Sequence, residues 1–274
     1  MPSRPFLNLS LRLRVTHATP RTKMLNYDDF CSYVNGFYDN SRKTSDGVEV
    51  YPPNFPDLYS LYSKVVTSRT LAVLEFGSGW STLVFAMALE LNRNSYLDTV
   101  NGLRHPNKFE LMTVDCESRF ISLSTQRIPK DFKTRIHPVE TKAHMAVLNN
   151  QICTLYQNLP AFTADFIYLD GPDCGEDQVL GDINGYSLSF GDGSKSYGLP
   201  MAADLIRLEP HLWPGTMIVT DGRGANARFL KNNFVRNWDY EYDEILDQHC
   251  FSLNEPAWGK YSKLLLEFKA GNLE

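Results

Sequence analysis

Residues 73–82 read VLEFGSGWST. An apolar run ends in an acid, two glycines follow one residue apart, and a Trp and two hydroxyl residues come next. The pattern is a buried strand passing through a tight loop into a helix, because glycine lets the backbone turn sharply and approach a ligand closely. Outward from this stretch the unit repeats. LAVLEF (71–76), FELMTVDC (109–116), TRIHPV (134–139), ADFIYLD (164–170) and TMIVTD (216–221) each read as a strand. STLVFAMALEL (81–91), KAHMAVLNNQICTLYQNL (142–159), MAADLIRLEPHL (201–212) and ANARFLKNNFVRNW (225–238) read as helices, the third broken late by Pro210. Polar residues 92–108 read as a loop insertion. EYDEILDQHCFSL (241–253) and YSKLLLEFK (261–269) read as two strands with no helix between them.

Alternating strands and helices imply a doubly wound α/β fold, a mostly parallel sheet with helices on both faces. The last two strands add an antiparallel hairpin at the edge, for a seven-stranded sheet. Residues 70–274 form this domain. Residues 1–69 read as an N-terminal arm and helices that cover the site. Within them, 26–40 is a helix, YPPNFP (51–56) a rigid turn, and Asp57 the cap of a helix over 58–68. Leu7, Leu9, Leu11, Leu13 and Val15 alternate with polar residues, which favours an added strand or ordered arm over a cleaved basic leader. Packing of that arm on a second subunit would make a homo-oligomer.

The chain has 274 residues, 43% of them hydrophobic and 22% charged, with a net charge of −5. That balance suits a water-soluble globular protein and argues against a dedicated nucleic-acid binder. Cys31, Cys116, Cys153, Cys174 and Cys250 are scattered and odd in number, so a zinc site or disulfide framework is not expected and a reducing, cytoplasmic setting is. No apolar run is long enough to span a bilayer, so no membrane partner is expected.

In open sheets of this kind ligands bind beyond the carboxyl ends of the strands. Glu75, Asp115, Asp170 and Asp221 each close a strand there. The dinucleotide fingerprint reads G-x-G-x-x-G; here Gly77 and Gly79 are followed by Thr82, and Glu75 would oppose a pyrophosphate. A ligand carrying positive charge at that end fits better.

With these residues in place the chain resembles the class I S-adenosylmethionine-dependent methyltransferases. Glu75-Phe-Gly-Ser-Gly-Trp-Ser-Thr82 is similar to that family's first motif, Asp115 matches its ribose-binding acid, and Asp170 in FIYLDGPD matches its acid after the fourth strand. The resemblance covers roughly residues 70–270 and implies a Rossmann-like fold with methyl transfer to a small molecule, most simply to a hydroxyl oxygen. It assigns Glu75, Phe76, Gly77, Ser78, Gly79, Ser81, Asp115, Cys116, Glu140 and Asp170 to the cofactor. The metal-dependent catechol-type O-methyltransferases, which these segments also resemble, bind a divalent cation at two strand ends; that would make Asp170 and Asp221 ligands for Mg²⁺. Their pattern carries an amide after the second acid, where this chain has Gly222. Without a metal, Asp170, Asp221 or His144 is the candidate catalytic group. Arg223 and Tyr51 are candidate substrate contacts, with Arg228, Lys231 and Arg236 near the same strand exit to attract an anionic acceptor. The Gly/Asp/Ser-rich stretch 171–199 reads as a lid. A silent binding module on the same fold and a nicotinamide-dependent oxidoreductase are the alternatives.

Overall fold

The computed structural model describes residues 23–38, 43–172, 179–180 and 202–273. The expected arm over residues 1–22 and most of the expected lid lie outside them. Helices α1 (Tyr27–Tyr38) and α2 (Phe55–Thr67) precede the sheet. Asn54 is the residue before α2, and Pro56 sits in its first turn, where a missing N–H costs nothing. Asp57 is therefore inside the helix and not its cap; its carboxylate accepts instead from the Gln248 side chain.

Strand β1 (Ala72–Phe76) is buried along its whole length, as a central parallel strand must be. Helix α3 (Trp80–Tyr96) follows and runs beyond the expected end, so the insertion begins only after it, with a short 3-10 turn at Thr99–Gly102. Strand β2 (Glu110–Asp115), helices α4 (Ser118–Arg127) and α5 (Lys130–Lys133), and strand β3 (Ile136–Glu140) complete the first half.

The sequence reading fails next. Residues 142–159 are not a helix but a hairpin, β4 (Ala143–Leu148) and β5 (Gln151–Tyr156). Asn149 and Asn150 both have positive φ, 50° and 59°, the geometry of a two-residue turn that matches strand twist. Ala, Met and Leu are good helix formers, yet Ala143 and Met145 are buried and alternate with more exposed neighbours, which is a strand period. The short strand β7 (Val179–Leu180) pairs with β4 to make a second, three-stranded sheet.

Strand β6 (Phe166–Leu169), short helix α6 (Asp204–Leu208), strand β8 (Met217–Thr220) and helix α7 (Gly224–Asn233) follow. The terminal hairpin is β9 (Trp238–Asp243) with β10 (Gln248–Leu253), both drawn from sequence read as the end of a helix and one strand. Residues 261–269 are not its second strand. They lie in helix α8 (Lys260–Lys269), whose Leu265 and Phe268 are buried at helical spacing.

The main sheet has the order β3-β2-β1-β6-β8-β10-β9. Pairings from β3 through β8 are parallel, and β10 is antiparallel to both neighbours. This is the Rossmann-like sheet that the motif order implies. The chain moves outward from β1 to β3, then returns to the other side of β1 with β6, so a crevice opens beyond the ends of β1 and β6. One apolar cluster includes Phe76, Val114, Leu169 and Phe251 with the β4–β5 hairpin, and a second packs α1 and α2 against α3.

Two polar ties hold the layers. At the strand starts, fully buried Asp165 accepts from Leu71 N (3.0 Å), Ala72 N (2.7 Å) and Lys269 Nζ (2.7 Å). Burial pushes this carboxyl upward, but Lys269 and His105 hold it below its ordinary value. In the middle, buried Gln248 on β10 meets Ser60 Oγ at 3.2 Å, Lys64 Nζ at 3.0 Å and Asp57, all from α2. No helix among the described residues is long and apolar enough to cross a membrane.

Candidate active site

Gly77 has φ +93°, and a Cβ there would stand 2.6 Å from the carbonyl oxygen of Asp170. Only glycine meets both demands, so the loop after β1 lies directly on the loop after β6. Beyond these two loops opens a cavity of about 560 Å³, lined by Gly77, Ser78, Gly79, Asp115, Asp170, Gly171 and Arg223, among others. That volume suits a cofactor with a small substrate. Its roof comes from residues before the sheet, Val48–Tyr51, Asn54, Asp57 and Leu58. The roof is tied to the glycine loop by Trp80 Nε1, which donates to the Tyr51 carbonyl at 3.0 Å. The cavity's cover is thus supplied by residues 48–58.

The glycine loop is internally satisfied. Gly77 N donates to Val114 O at 2.8 Å, Ser78 N to Asp115 Oδ2 at 2.8 Å, and Gly79 N to Thr82 Oγ1 at 3.1 Å. The amides that would cradle a phosphate are therefore already engaged. Glu75 explains why the loop is so firmly set. It is fully buried behind the loop, accepting from Ser81 Oγ at 2.5 Å and Thr82 Oγ1 at 2.7 Å. Burial pushes its carboxyl up to about 7 against these hydroxyl donors. Neither Glu75 nor Phe76 reaches the cavity surface, and Ser81, which does, spends its hydroxyl on Glu75.

Asp115 does face the cavity. Its two oxygens accept from Ser78 N and from Glu117 N at 2.9 Å, and each keeps a second lone pair. Burial pushes it up to about 6 despite those donors. Phe120 and Leu123 of α4 make the apolar wall beside it. Cys116 lies in the core, its thiol pushed up to about 11 by burial, and Glu140 pairs in register with Asp115 without lining the cavity.

At the other end, Arg223 joins the two strand-end acids. Its Nη2 lies 3.0 Å from Asp170 Oδ1 and its Nε 2.5 Å from Asp221 Oδ2. The Tyr168 hydroxyl donates to Asp170 Oδ2 at 3.5 Å. Burial pushes Asp221 up, with Arg223 and Asp170 acting against it. A divalent cation on Asp170 and Asp221 would need the position the guanidinium holds, so these residues as arranged do not fit the expected Mg²⁺. Among the described residues no group of three or more His, Cys, Asp or Glu could hold a metal ion.

His144 is not brought to the cavity; it lies on β4, opposite Leu155, and no histidine lines the cavity among the described residues. Tyr51 lines it, yet its side chain is 90% exposed. Of the basic residues after β8, Arg223 alone lines the cavity. Arg236 is spent on Glu255 and on the carbonyls of Glu209 and Leu212, and Lys231 lies over the Tyr240 ring at 4.1 Å. Among the described residues, the acids Glu49, Asp57, Asp115 and Asp170 and the arginines Arg127 and Arg223 line the cavity.

Sequence reasoning missed several cavity residues, among them Trp80, Asp57, Tyr168 and Tyr156. Trp80 stacks under the Arg127 guanidinium at 3.6 Å. Asp57 is raised by burial. Tyr156, on β5, lines the cavity with its ring stacked on Phe76, and its buried hydroxyl faces only the Cys116 thiol, a weak partner.

No protein-family model matches the chain, and no curated protein matches it. Solved structures do resemble it. An O-methyltransferase from Bacillus cereus in complex with SAH is 12% identical, covers 85% of this chain and 93% of its own, and superposes with a TM-score of 0.41. An SAH-bound methyltransferase of Podospora anserina is 12% identical over 81% and 88% of the two chains, with a TM-score of 0.43. An O-methyltransferase from Streptomyces achromogenes in complex with SAM is 10% identical over 85% and 100%, with a TM-score of 0.38. Likeness this distant decides no activity, which has to be read from the cavity of this chain.

Proposed function

We propose that the chain is an S-adenosylmethionine-dependent methyltransferase acting on a small molecule, with a hydroxyl oxygen as acceptor. The observation that carries this reading is the glycine loop. Its amides are bonded internally, and Asp115 and Asp170 flank it at either end of the cavity. A pyrophosphate would meet spent donors and carboxylates, whereas a cofactor with a cationic centre and a ribose diol meets acceptors. Asp115 would hold the diol, the wall of Phe120 and Leu123 the base, and the Asp170–Arg223 pair the methionine portion, with the acid toward its ammonium and the guanidinium toward its carboxylate.

When bound, S-adenosylmethionine supplies an electrophilic methyl group on sulfur. An acceptor hydroxyl held in line with that methyl would pass its proton to a carboxylate of this chain. The chain's part is to orient the two and to take the proton. Asp170 and Asp221 are both engaged by Arg223, so the proton acceptor is Asp57, which lines the cavity and is made more basic by burial.

The test is calorimetric titration with S-adenosylmethionine and, in parallel, NAD⁺, on the native chain and on Asp115→Ala. Binding of the sulfonium cofactor alone, lost in the variant, supports the reading. Binding of NAD⁺, or of neither, rejects it.

A further inference from the structure

Two carboxylates at the ends of neighbouring parallel strands, one of them lining the cavity, make a site that calls for a cation. In this chain the side chains of Asp170 and Asp221 are within hydrogen-bond reach of each other, so leaving both ionised without a counter-charge would be costly. The cation is already present. The loop after β8 turns at Arg223, immediately before α7, and the turn is fixed by Arg223 N donating to Asp221 Oδ1 at 3.4 Å. From there the guanidinium reaches both acids through two different nitrogens. A guanidinium cannot be deprotonated in a protein, so this charge is permanent.

Position 222 carries a second piece of the same arrangement. A Cβ on Gly222 would stand 1.9 Å from Asp247 Oδ2. The Asp247 carboxylate, at the β9–β10 turn and held by the Tyr242 hydroxyl at 2.8 Å, fills the space that a side chain at 222 would use. Gly222 itself offers no side-chain ligand, and a divalent ion, which needs about six oxygens at ~2.0–2.6 Å, would have to expel the guanidinium first.

We propose that the Arg223 guanidinium is the built-in cation of the Asp170–Asp221 pair and that it excludes a divalent metal from them. A guanidinium carries its N–H donors in a planar fork, so one side chain holds both carboxylates. The exclusion stands on this geometry and does not depend on the methyl-transfer reading.

The experiment is titration with Mn²⁺ by calorimetry and thermal shift, on the native chain, on Arg223→Gln and on Arg223→Gln combined with Asp170→Asn. Circular dichroism confirms folding, and Arg223→Met, which also removes the charge and is expected to gain the same site, stands in should the glutamine variant unfold. The native chain is expected to show no saturable Mn²⁺ site and no change in Tm with EDTA. Arg223→Gln should gain a saturable site and a Tm that rises with Mn²⁺, and the double variant should lose both. A saturable Mn²⁺ site in the native chain that Asp170→Asn removes would overturn the proposal. So would an Arg223→Gln chain that is folded and indifferent to Mn²⁺. Since none of these readouts requires cofactor, failure of S-adenosylmethionine to bind would count against the proposed function and leave this result standing.

Discussion

The backbones of Gly77 and Gly171 are in contact: a Cβ on Gly171 would lie 2.9 Å from both the Cα and the N of Gly77. The loops after the two central strands thus form one rigid floor, and each needs the other's missing side chain. Gly77→Ala should cost about 1–3 kcal/mol, from positive φ and collision together. Gly79, where a Cβ would meet only Ser81 Oγ at 3.8 Å, should tolerate alanine. Urea denaturation of the two variants checks the contrast; equal losses would mean that loop contact is not what fixes Gly77.

Asp115→Asn should weaken S-adenosylmethionine binding at least about tenfold, near 1.4 kcal/mol, while leaving the fold intact. Because burial places Asp115 at about 6, affinity in the native chain should rise with pH through that value as the carboxylate gains its full acceptor capacity. Calorimetry from pH 5 to 8 in the native chain and the variant would expose the difference. A flat native profile would place the diol elsewhere.

Glu75 binds its proton more tightly in the folded chain, with its pKa raised from 4.5 to about 7. The contribution to stability is therefore full below pH 4.5 and is lost as pH rises through about 7. Glu75→Gln removes this dependence. The native chain should lose up to ~3 kcal/mol relative to the variant between acid and neutral pH. Chemical denaturation of both chains across that range is the measurement, and parallel curves would show that Glu75 stays ionised throughout.

Tyr156→Phe separates fold from function. The native hydroxyl is buried with only the Cys116 thiol against it, a weak partner, so the variant should be about as stable as the native chain. If the hydroxyl is kept for the cofactor beside Asp115, affinity should fall at the same time. Loss of stability with unchanged affinity would make Tyr156 a packing residue only.

Lys269→Met leaves buried Asp165 without its ammonium and should cost about 3–5 kcal/mol. The site lies at the opposite rim of the sheet from the cavity, so the Kd for S-adenosylmethionine in the folded fraction should not move. A changed Kd would mean that the two rims are coupled.

The five parallel strands of the main sheet were legible because apolar runs such as LAVLEF, flanked by turn residues, admit little else; β9, the polar and mostly exposed WDYEYD at the edge, was not. Residues 142–159 were not, because helix-forming Ala, Met and Leu outweighed the Asn149-Asn150 turn signal. Residues 261–269 were misread for the related reason that the run Leu264–Leu266 fits either period, and only burial of Leu265 and Phe268 selects the helix. At the site, the spacing of Gly77, Gly79 and Asp115 carried the reading. Spacing does not say which way a carboxylate points, so Glu75 looked like a ligand group and proved to be set behind the loop. Asp57 and Tyr156 reach the cavity through the tie to Gln248 and through the hairpin, which no local pattern announces.

The tie between α2 and Gln248 also sets when the cavity can exist. Its cover comes from residues 48–58 and its far wall from 223, and the cover's helix is held by a strand that begins at Gln248. During synthesis the glycine loop and its cover are made early, while the wall at Arg223 and the tie at Gln248 come much later. A product ending before Arg223 would keep the motif and its cover and lack the far wall, so the cavity should close around its ligand only late.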